Sequence, residues 1–370
     1  MKMILTLLLC ITSTFAQIDP KATLEAKSLY KRLNKISLSI NSKQKILIGH
    51  QNAFTEGRGW RQGNQDVGGE LKSDMNDAVG VHPSVLGIDF SEIGDWNKDL
   101  IKYQIKKLHE MGGVFTLSWH INALIDDGKG DNSSKDKSTK IVKRILKGGD
   151  HHQVLLSQLD KLASFLNEIK DIPVIFRPWH EHNYSWFWWG KRHCTKEEYI
   201  ELWKTTVNYL MKKGVHNILY AYSPNQIRND YLERYPGDNY VDILGVDHYY
   251  YNKIVDIALI GVSPLKKYKN GIIWLCEEAV RRNKIPAVTE FGQESSHYKN
   301  FWTDYFGWPL MKEGMEQILG TGQAPKKGPA YIMLWRNDIN DPKHYYGPIP
   351  GHKNNSNFEE LLSKEVFIGL

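Results

Sequence analysis

Eight short apolar runs, each rich in β-branched residues, recur along this chain, and segments with helical periodicity separate them. The runs are residues 46–51, 84–90, 113–120, 173–181, 217–225, 242–250, 286–292 and 330–338. Strands that alternate with helices indicate βαβ units and therefore a parallel sheet. Eight such units favour an α/β fold of a single domain, the (β/α)8 TIM barrel, and the alternative is a doubly wound open sheet.

Two of the intervening segments carry clear helix signals. In residues 150–170, apolar side chains such as Leu155, Leu159 and Leu162 recur at steps of three and four. Residues 195–213 begin with Thr195, which is a good N-cap residue, and two glutamates follow it in the first turn. Both segments are therefore predicted to be helices.

Nearly every apolar run ends in polar or aromatic residues, which a purely structural sheet would not need at one end alone. A TIM barrel carries its active site at the C-terminal ends of its strands. The endings thus predict a ring of functional side chains around one rim. The polar loop 126–139 follows the third run, so we expect it to edge the same cleft.

The composition excludes several classes of protein. The chain has 370 residues, 41% of them hydrophobic and 24% charged, with a net charge of +6. This balance is typical of a globular protein with one large core. The positive charge is spread over lysine-rich segments such as residues 101–107 and forms no block, so no nucleic-acid binding is expected. We expect a monomer without a cofactor.

Residues 1–16 have the pattern of a signal peptide, and residues 17–370 are left for the barrel domain. Lys2 supplies the positive start, residues 4–10 the apolar centre, and residues 14–16 a small-x-small cleavage site. The apolar centre is too short to span a bilayer, and no later segment reaches the length of a membrane helix. We expect secretion to the periplasm or the cell exterior.

Cys194, Cys276 and a sequon at Asn183 bear on the compartment and the source. An oxidising compartment permits a disulfide between the two cysteines, but a chain of this size does not need one. Two buried free thiols are therefore favoured, and pairing stays open. The sequon lies inside the suspected active site, where a glycan would block access, and this favours a bacterial source.

Glu181 ends the fourth run and precedes four consecutive aromatic residues, 186–189. A carboxyl beside so much ring surface holds its proton, because desolvation raises a carboxyl pKa. A general acid requires such a carboxyl. Flat rings also stack on the apolar faces of sugars. Adjacent rings cannot all face one cleft, so Trp188 and Trp189 are favoured as core residues.

A second carboxyl, Glu290, lies at the end of the seventh run. Strands four and seven of a closed eight-stranded barrel face each other across its mouth. Retaining and inverting glycosidases both use a pair of carboxyl groups, at different separations. Glu290 needs hydrogen-bond donors to stay ionised, and Tyr249 and Arg177 are the candidates. The pair of carboxyls therefore predicts glycoside hydrolysis.

A metal site is the alternative use of the same strand ends. Potential ligands at these ends are His50, Asp89, His120, His180 and Asp247. Metal-dependent barrel hydrolases combine close His-x-His pairs or several carboxylates with an open coordination position. The His-x-His pair of residues 180–182 contains Glu181, which acid catalysis already explains. We therefore expect no metal.

Several motifs occur together along the chain. They are Arg177-Pro-Trp-His-Glu181, Ser185-Trp-Phe-Trp-Trp-Gly190, Thr289-Glu-Phe-Gly292, Gly49-His-Gln51, Ser118-Trp-His120, Asp247-x-Tyr249 and Leu334-Trp-Arg-Asn337. This set resembles glycoside hydrolase family 26, whose commonest members are β-1,4-mannanases, over nearly the whole of residues 17–370. The His-Glu pair followed by the aromatic run is its most specific part. Trp179 is a departure, since the family more often has Leu there.

The resemblance implies which side chains line the subsite of the cleaved sugar. The expected substrate-binding residues are His120, Arg177, His180, Trp186, Tyr249 and Trp335. Trp186 and Trp335 would be stacking platforms. His180 would bond the sugar or orient the neighbouring carboxyl, and Tyr249 would hold Glu290 in its ionised form. The sequence alone leaves His50 and His248 equally open to packing roles.

The resemblance also implies the reaction. We expect a retaining glycoside hydrolase that cleaves β-1,4-mannosidic linkages in mannan, galactomannan or glucomannan, with Glu181 as acid/base and Glu290 as nucleophile. One alternative is the same mechanism on mixed-linkage glucan or xylan. Another is a carbohydrate-binding protein without catalysis, although the presence of both glutamates argues against it. Internal cleavage and cleavage from a chain end stay open.

Overall fold

The computed structural model describes residues 17–125, 140–227, 229–250 and 264–370, and there eight parallel strands close into a barrel. The strands are β1 (Ile46–Gln51), β2 (Val85–Asp89), β3 (Val114–Ser118), β4 (Val174–Arg177), β5 (Ile218–Tyr222), β6 (Ile243–Tyr249), β7 (Ile285–Gly292) and β8 (Tyr331–Leu334). Each strand pairs with the next, and β8 pairs in parallel with β1, which closes the ring. The predicted TIM barrel is confirmed, and the open sheet is excluded.

Helices connect the strands and cover the outside of the barrel. Those in the described residues are α1 (Leu24–Leu38), α2 (Asp74–Val79), α3 (Lys98–Glu110), α4 (Ile141–Ile145), α5 (His152–Glu168), α6 (Lys196–Lys212), α7 (Pro264–Arg281), α8 (Lys312–Leu319) and α9 (Asn355–Ser363). A π-helix occupies Phe301–Gly307. A short strand, Phe367–Ile368, adds to β1 in parallel near the C-terminus.

The two predicted helices correspond to α5 and α6. Helix α5 buries the apolar residues of the three- and four-residue pattern. Helix α6 begins with a capping box at its N-terminus. The Thr195 hydroxyl accepts from the Glu198 amide at 3.2 Å, and the Glu198 carboxylate accepts from the Thr195 amide at 2.9 Å. These two bonds satisfy amides that an uncapped helix would leave unpaired.

The fourth apolar run is longer than the strand it forms. Strand β4 ends at Arg177, whereas the run was expected to continue to Glu181. Trp179 and Glu181 adopt left-handed φ angles of 50° and 53°, which are incompatible with a continuing strand. The chain therefore turns sharply just after β4, and Glu181 lies in this turn.

Helix α1 closes the amino-terminal end of the barrel. Its buried face, including Ala26, Leu29 and Leu33, packs on strand residues that point into the barrel interior, such as Val114 and Ile175. The preceding segment adds polar anchors, since the Ile18 amide donates to the carboxylate of Asp242 at 2.9 Å. The amino-terminal end is thus filled by core side chains, and the opposite end is left for the polar residues.

Three further expectations concern the signal peptide and one loop, membrane-spanning helices, and the two cysteines. The predicted signal peptide, 1–16, and the loop 126–139 lie outside the described residues. No helix within the described ranges is both long and apolar enough to cross a bilayer. Cys194 and Cys276 are both buried, and neither forms a disulfide.

We expect Leu33→Ala to lower stability without reducing the activity of the folded protein. Leu33 is fully buried against the barrel interior, and truncation of such a leucine costs about 2–5 kcal/mol. Thermal unfolding followed by circular dichroism gives the midpoint. Leu24→Ala is the matched control, because Leu24 lies on the same helix and is 79% exposed. Equal midpoints for the two variants would show that α1 does not stabilise the barrel.

Candidate active site

Arg177, the last residue of β4, lies buried inside the carboxyl-terminal end of the barrel. Its Nη1 donates to Oδ2 of Asp247 at 2.8 Å, and its Nη2 donates to the carboxylate of Glu290. Burial alone would lower the pKa of Arg177, but the charges of Asp247 and Glu290 outweigh it and raise that pKa. One permanent cation thus joins β4, β6 and β7 at the mouth of the barrel.

Asp247 is the buried second partner of this guanidinium. Its Oδ1 accepts from the hydroxyls of Ser223 and Thr289, each at 2.7 Å. Burial raises the pKa of Asp247 well above the usual range, and the charge of Arg177 opposes this effect. The hydroxyls, the carboxyl and the guanidinium form one connected network under the site.

A β-bulge in β7 brings two consecutive side chains into this network. In the pairing of β6 with β7, Val246 is opposite Val288, but Asp247 is opposite Glu290, so one extra residue is inserted at Thr289. Successive side chains of a regular strand point to opposite faces. The bulge re-aims them, and both Thr289 and Glu290 reach groups in the barrel mouth.

Glu290 has a second donor in Tyr249, the last residue of β6. The tyrosine hydroxyl donates to Oε2 of Glu290 at 2.5 Å. Burial, and next the charge of Glu290, raise the pKa of Tyr249 well above its usual value, so the hydroxyl keeps its proton. Glu290 therefore accepts one bond from a permanent cation and one from a neutral hydroxyl, and both favour the carboxylate.

Glu181 lies opposite, in the turn after β4. Its amide donates to the carbonyl of Ser223 at 2.8 Å, which anchors the left-handed turn. Its Oε1 accepts from Nδ2 of Asn225 at 2.5 Å, and its Oε2 accepts from the indole N–H of Trp186 at 2.8 Å. A left-handed φ at a residue other than glycine costs on the order of 1–3 kcal/mol, and these bonds hold the carboxyl in place.

The environment of Glu181 favours its protonated form. Burial, and next the negative charge of Glu290, raise the pKa of Glu181 to about 7. The bond from Asn225 and the charge of Arg177 act in the opposite direction. The two carboxyls consequently differ in character, because one is paired directly with a guanidinium and the other is not.

Glu181, Asp247 and Glu290 converge on one small volume. One carboxylate oxygen of each lies within 4.8 Å of the others. Three carboxyls in this arrangement could hold a cation. In this protein the guanidinium of Arg177 bonds two of them, so a side chain already supplies positive charge at that point.

Two histidines expected in the site, His120 and His180, contact each other above β3 and β4. Their Nε2 atoms are 2.9 Å apart, and Nδ1 of His120 is 2.6 Å from Oδ2 of Asp89. The ring of Phe187 packs edge-on against both imidazoles, with centroids 5.4 and 5.3 Å away. Phe187 is therefore the member of the aromatic run that reaches the histidine pair.

The tryptophans separate into site and core residues. Trp186 is 37% exposed and stacks on Tyr184 with centroids 4.3 Å apart, and Trp335 is partly exposed with its ring centroid 5.9 Å from that of His120. Trp179, Trp188 and Trp189 are fully buried. The ring of Trp179, which departs from the family pattern, thus packs in the core.

Three other histidines near the strand ends, His50, His182 and His248, are buried. His182 is buried between the rings of Tyr199 and Tyr222, with ring centroids 4.3 and 4.9 Å away, so it is a core residue. His248 packs against Tyr268 and Phe291, and burial lowers its pKa to about 3. His50 is buried too, and burial lowers its pKa to about 4.

Sequence reasoning assigned no role to Asn225 and Ser223, and it considered Asp89 and Asp247 only as potential metal ligands. Each lies close to the carboxyl-terminal end of a strand, so their positions carried the same signal as Glu181 and Glu290. The sequence pattern could not show which group each of these side chains bonds, because that depends on how neighbouring strands are staggered.

Comparison with known proteins gives a consistent picture. The model of Glycosyl hydrolase family 26 matches residues 18–307. A mannan endo-1,4-beta-mannosidase of Bifidobacterium adolescentis is 30% identical over 342 residues, which are 86% of this chain and 32% of that protein. The chain spans between about a third and about a half of the first curated relatives that it matches.

Solved structures resemble the chain over nearly its whole length. The GH26 beta-mannanase BoMan26A of Bacteroides ovatus is 30% identical with a TM-score of 0.76, covering 94% of this chain and 95% of that one. The catalytic domain of an endo-beta-1,4-mannanase from Bacillus sp. JAMB-750 is 31% identical with a TM-score of 0.80, covering 96% and 93%.

We expect Tyr249→Phe to move the acidic limb of the kcat/KM profile to higher pH. The variant removes a hydrogen bond that favours the charged form of the Glu290 carboxylate. The acidic limb of the kcat/KM profile reports the ionisation of an essential group in the free enzyme. Tyr250→Phe is the matched control, because its buried hydroxyl has no hydrogen-bond partner among the described residues. An acidic limb that stays in place in Tyr249→Phe would leave Arg177 as the group that keeps Glu290 ionised.

Proposed function

The chain belongs to glycosyl hydrolase family 26, and we propose that it is a retaining β-mannanase that cleaves β-1,4-mannosidic linkages in mannan, galactomannan or glucomannan. The observation that carries the mechanism is the short distance between carboxylate oxygens of Glu181 and Glu290, which lie within 4.8 Å of each other. Retaining glycosidases hold their carboxyl groups about 5–5.5 Å apart, and inverting ones about 6.5–9.5 Å. The distance favours direct attack by a carboxylate.

In the first step Glu290 attacks the anomeric carbon and the glycosidic bond breaks. Glu181 donates its proton to the departing oxygen, and the sugar remains bound to Glu290 as an ester. In the second step Glu181, now ionised, takes a proton from water, which attacks the anomeric carbon and releases Glu290. Two inversions give net retention of configuration.

The surroundings of each carboxyl support these roles. Glu290 accepts from Arg177 and Tyr249, and both donors stabilise the charge that a nucleophile must carry. Glu181 has no guanidinium partner among the described residues, and its pKa of about 7 lets it hold a proton and release it near neutral pH. A difference of this kind between two carboxyls separates acid from nucleophile.

The walls of the cleft fit a polysaccharide. Trp186, whose indole N–H bonds Glu181, and Trp335, whose ring packs against His120, both present partly exposed rings. A cavity of about 280 Å³ is lined by Glu56, Glu92, Trp96 and Arg336 among others. An indole with carboxylates and guanidinium groups around it suits another sugar ring of the same chain.

The name of the substrate rests on the relatives. The relatives named above are a mannan endo-1,4-beta-mannosidase and two beta-mannanases, and this points to mannan over glucan or xylan. Secretion through residues 1–16 to the periplasm or the cell exterior stays a prediction.

We expect kcat/KM to fall as the pH rises through about 7, the pKa of Glu181. The group must be protonated to act as the acid, and above its pKa the free enzyme loses that proton. A pH–rate profile on a soluble manno-oligosaccharide measures the limb, and Glu181→Gln provides the matched control. In that variant the limb should be absent, and a limb that persists there would belong to another group.

We expect Glu290→Ala to abolish turnover of mannan, and Glu181→Ala to slow mannan far more than an aryl β-mannobioside with a good leaving group. Such a leaving group needs little protonation. Azide should rescue Glu181→Ala and give a β-azide, and it should give an α-azide with Glu290→Ala. Product configuration is read by NMR.

The matched control is Glu277→Ala, a half-exposed carboxyl on α7, which should behave as wild type on every substrate. Galactomannan, xylan and mixed-linkage glucan are assayed in parallel with all variants. Hydrolysis of xylan or glucan but not of galactomannan would contradict the assignment of mannan as the substrate. Binding of these polysaccharides without hydrolysis would contradict the assignment of the chain as an enzyme.

A further inference from the structure

Asp89, at the end of β2, is a buried carboxylate with four donor groups around it. Oδ2 accepts from the Ser118 hydroxyl at 2.7 Å, and Oδ1 accepts from the Ser91 amide at 2.9 Å. The amide of His120 also donates to the carboxylate, at 3.0 and 2.9 Å to the two oxygens, and Nδ1 of its ring is 2.6 Å away. Asp89 itself is only 2% exposed.

Hydrogen bonds from neutral donors stabilise a buried carboxylate, and a positive charge beside it stabilises it further, because an unpaired buried charge is strongly unfavourable. The amides and the hydroxyl around Asp89 are neutral. Among the described residues that contact it, the imidazole of His120 is the group that can become a cation. The geometry of Asp89 therefore favours a doubly protonated His120.

The second ring nitrogen of His120, Nε2, determines which ring nitrogen of His180 carries a proton. It lies 2.9 Å from Nε2 of His180, and a hydrogen bond between two ring nitrogens requires one protonated and one bare nitrogen. If His120 carries both protons, then Nε2 of His180 accepts and the single proton of His180 is on Nδ1. Nδ1 of His180 is buried, and no described residue bonds it.

We propose that Asp89 is a positioning residue that acts through His120: it keeps His120 positively charged, and the charged His120 fixes the tautomer of His180 beside the acid/base. This inference concerns a residue outside the catalytic pair and rests on the proposed function for its consequence in the reaction. Its geometric part, the charge of His120, holds for any substrate.

The charges facing His120 agree with this assignment. Burial acts to lower the pKa of His120, but the carboxylate of Asp89 outweighs it, with a smaller contribution from Glu290, and raises that pKa; Arg177 opposes them. Burial, Arg177 and His120 lower the pKa of His180 well below the usual value, so His180 is the neutral member of the pair. Among the described residues, the uncharged rings of Phe187 and Trp335 also pack against His120, and Glu181 interacts with its charge.

The consequence reaches Glu181. The charge of His120 is among the causes that lower the pKa of Glu181, so loss of that charge should raise it. The proton on Nδ1 of His180 would also no longer be fixed next to the acid/base residue. Asp89 would thereby influence both the pH range and the rate of the reaction without touching the substrate.

The first test is direct and needs no activity. Long-range 1H–15N NMR of protein labelled in its histidines reports the charge and tautomer of each ring, and His120→Gln identifies the signals of His120. We expect His120 to be doubly protonated at neutral pH and His180 to be a neutral Nδ1–H tautomer. A neutral His120 with its proton on Nδ1 alone, together with His180 protonated at Nε2, would overturn the proposal.

The second test is Asp89→Asn, which keeps the shape and removes the charge. We expect the titration of His120 to move to lower pH, the basic limb of kcat/KM to move to higher pH, and kcat/KM to fall on the order of tenfold, as for one lost bond to a charged group. In the His120→Gln background, Asp89→Asn should shift the basic limb no further. A shift of equal size in that background would show that Asp89 does not act through His120.

The matched control is Asp19→Asn. Asp19 is also buried and its Oδ2 is 2.8 Å from Nδ1 of His216, but this pair lies at the amino-terminal end of the barrel. We expect a change in stability with an unmoved pH profile. If Asp89→Asn fails to fold, the protonation of His120 measured by NMR in the wild-type protein still tests the proposal. If NMR shows a doubly protonated His120 but no glycan is hydrolysed, the proposed function is wrong, and the pairing of charged His120 with Asp89 remains supported.

Discussion

The guanidinium of Arg177 is the interaction on which the rest of the site depends. It is buried at the end of β4 and donates to Asp247 and to Glu290, which belong to β6 and β7. Three carboxyl groups could not share this small volume with all their charges unless a cation were present. Arg177 supplies the charge permanently, because a guanidinium does not lose its proton in a protein.

This one cation also makes the two glutamates different. Glu290 is bonded to it directly and to Tyr249, whereas Glu181 receives neutral donors, Asn225 and Trp186. The negative charge of Glu290 then helps to raise the pKa of Glu181. A strained turn and a β-bulge place the two carboxyls, and both irregularities lie next to the network that holds them.

Much of this could be predicted from the sequence, since each kind of signal has a local cause. Segments that alternate between strand and helix character predicted the barrel, and polar residues at the predicted strand ends identified Glu181 and Glu290 as candidate catalytic residues. The left-handed turn at Glu181 and the bulge at Thr289 could not be foreseen, because no glycine marks either one. Asp89 and Asn225 were visible only as strand ends, since their roles depend on partners from neighbouring strands.

The most direct test of the account is to trap the sugar on its nucleophile. A 2-deoxy-2-fluoro β-mannobiosyl fluoride should react once with the enzyme, because the fluorine slows both steps and the good leaving group favours the first. Mass spectrometry of the digested protein should find the added mass on the peptide that contains Glu290, and Glu290→Gln should remain unlabelled. A label on Glu181 or Asp247, or turnover that inverts configuration without any label, would contradict the assignment of Glu290 as the nucleophile held by Arg177.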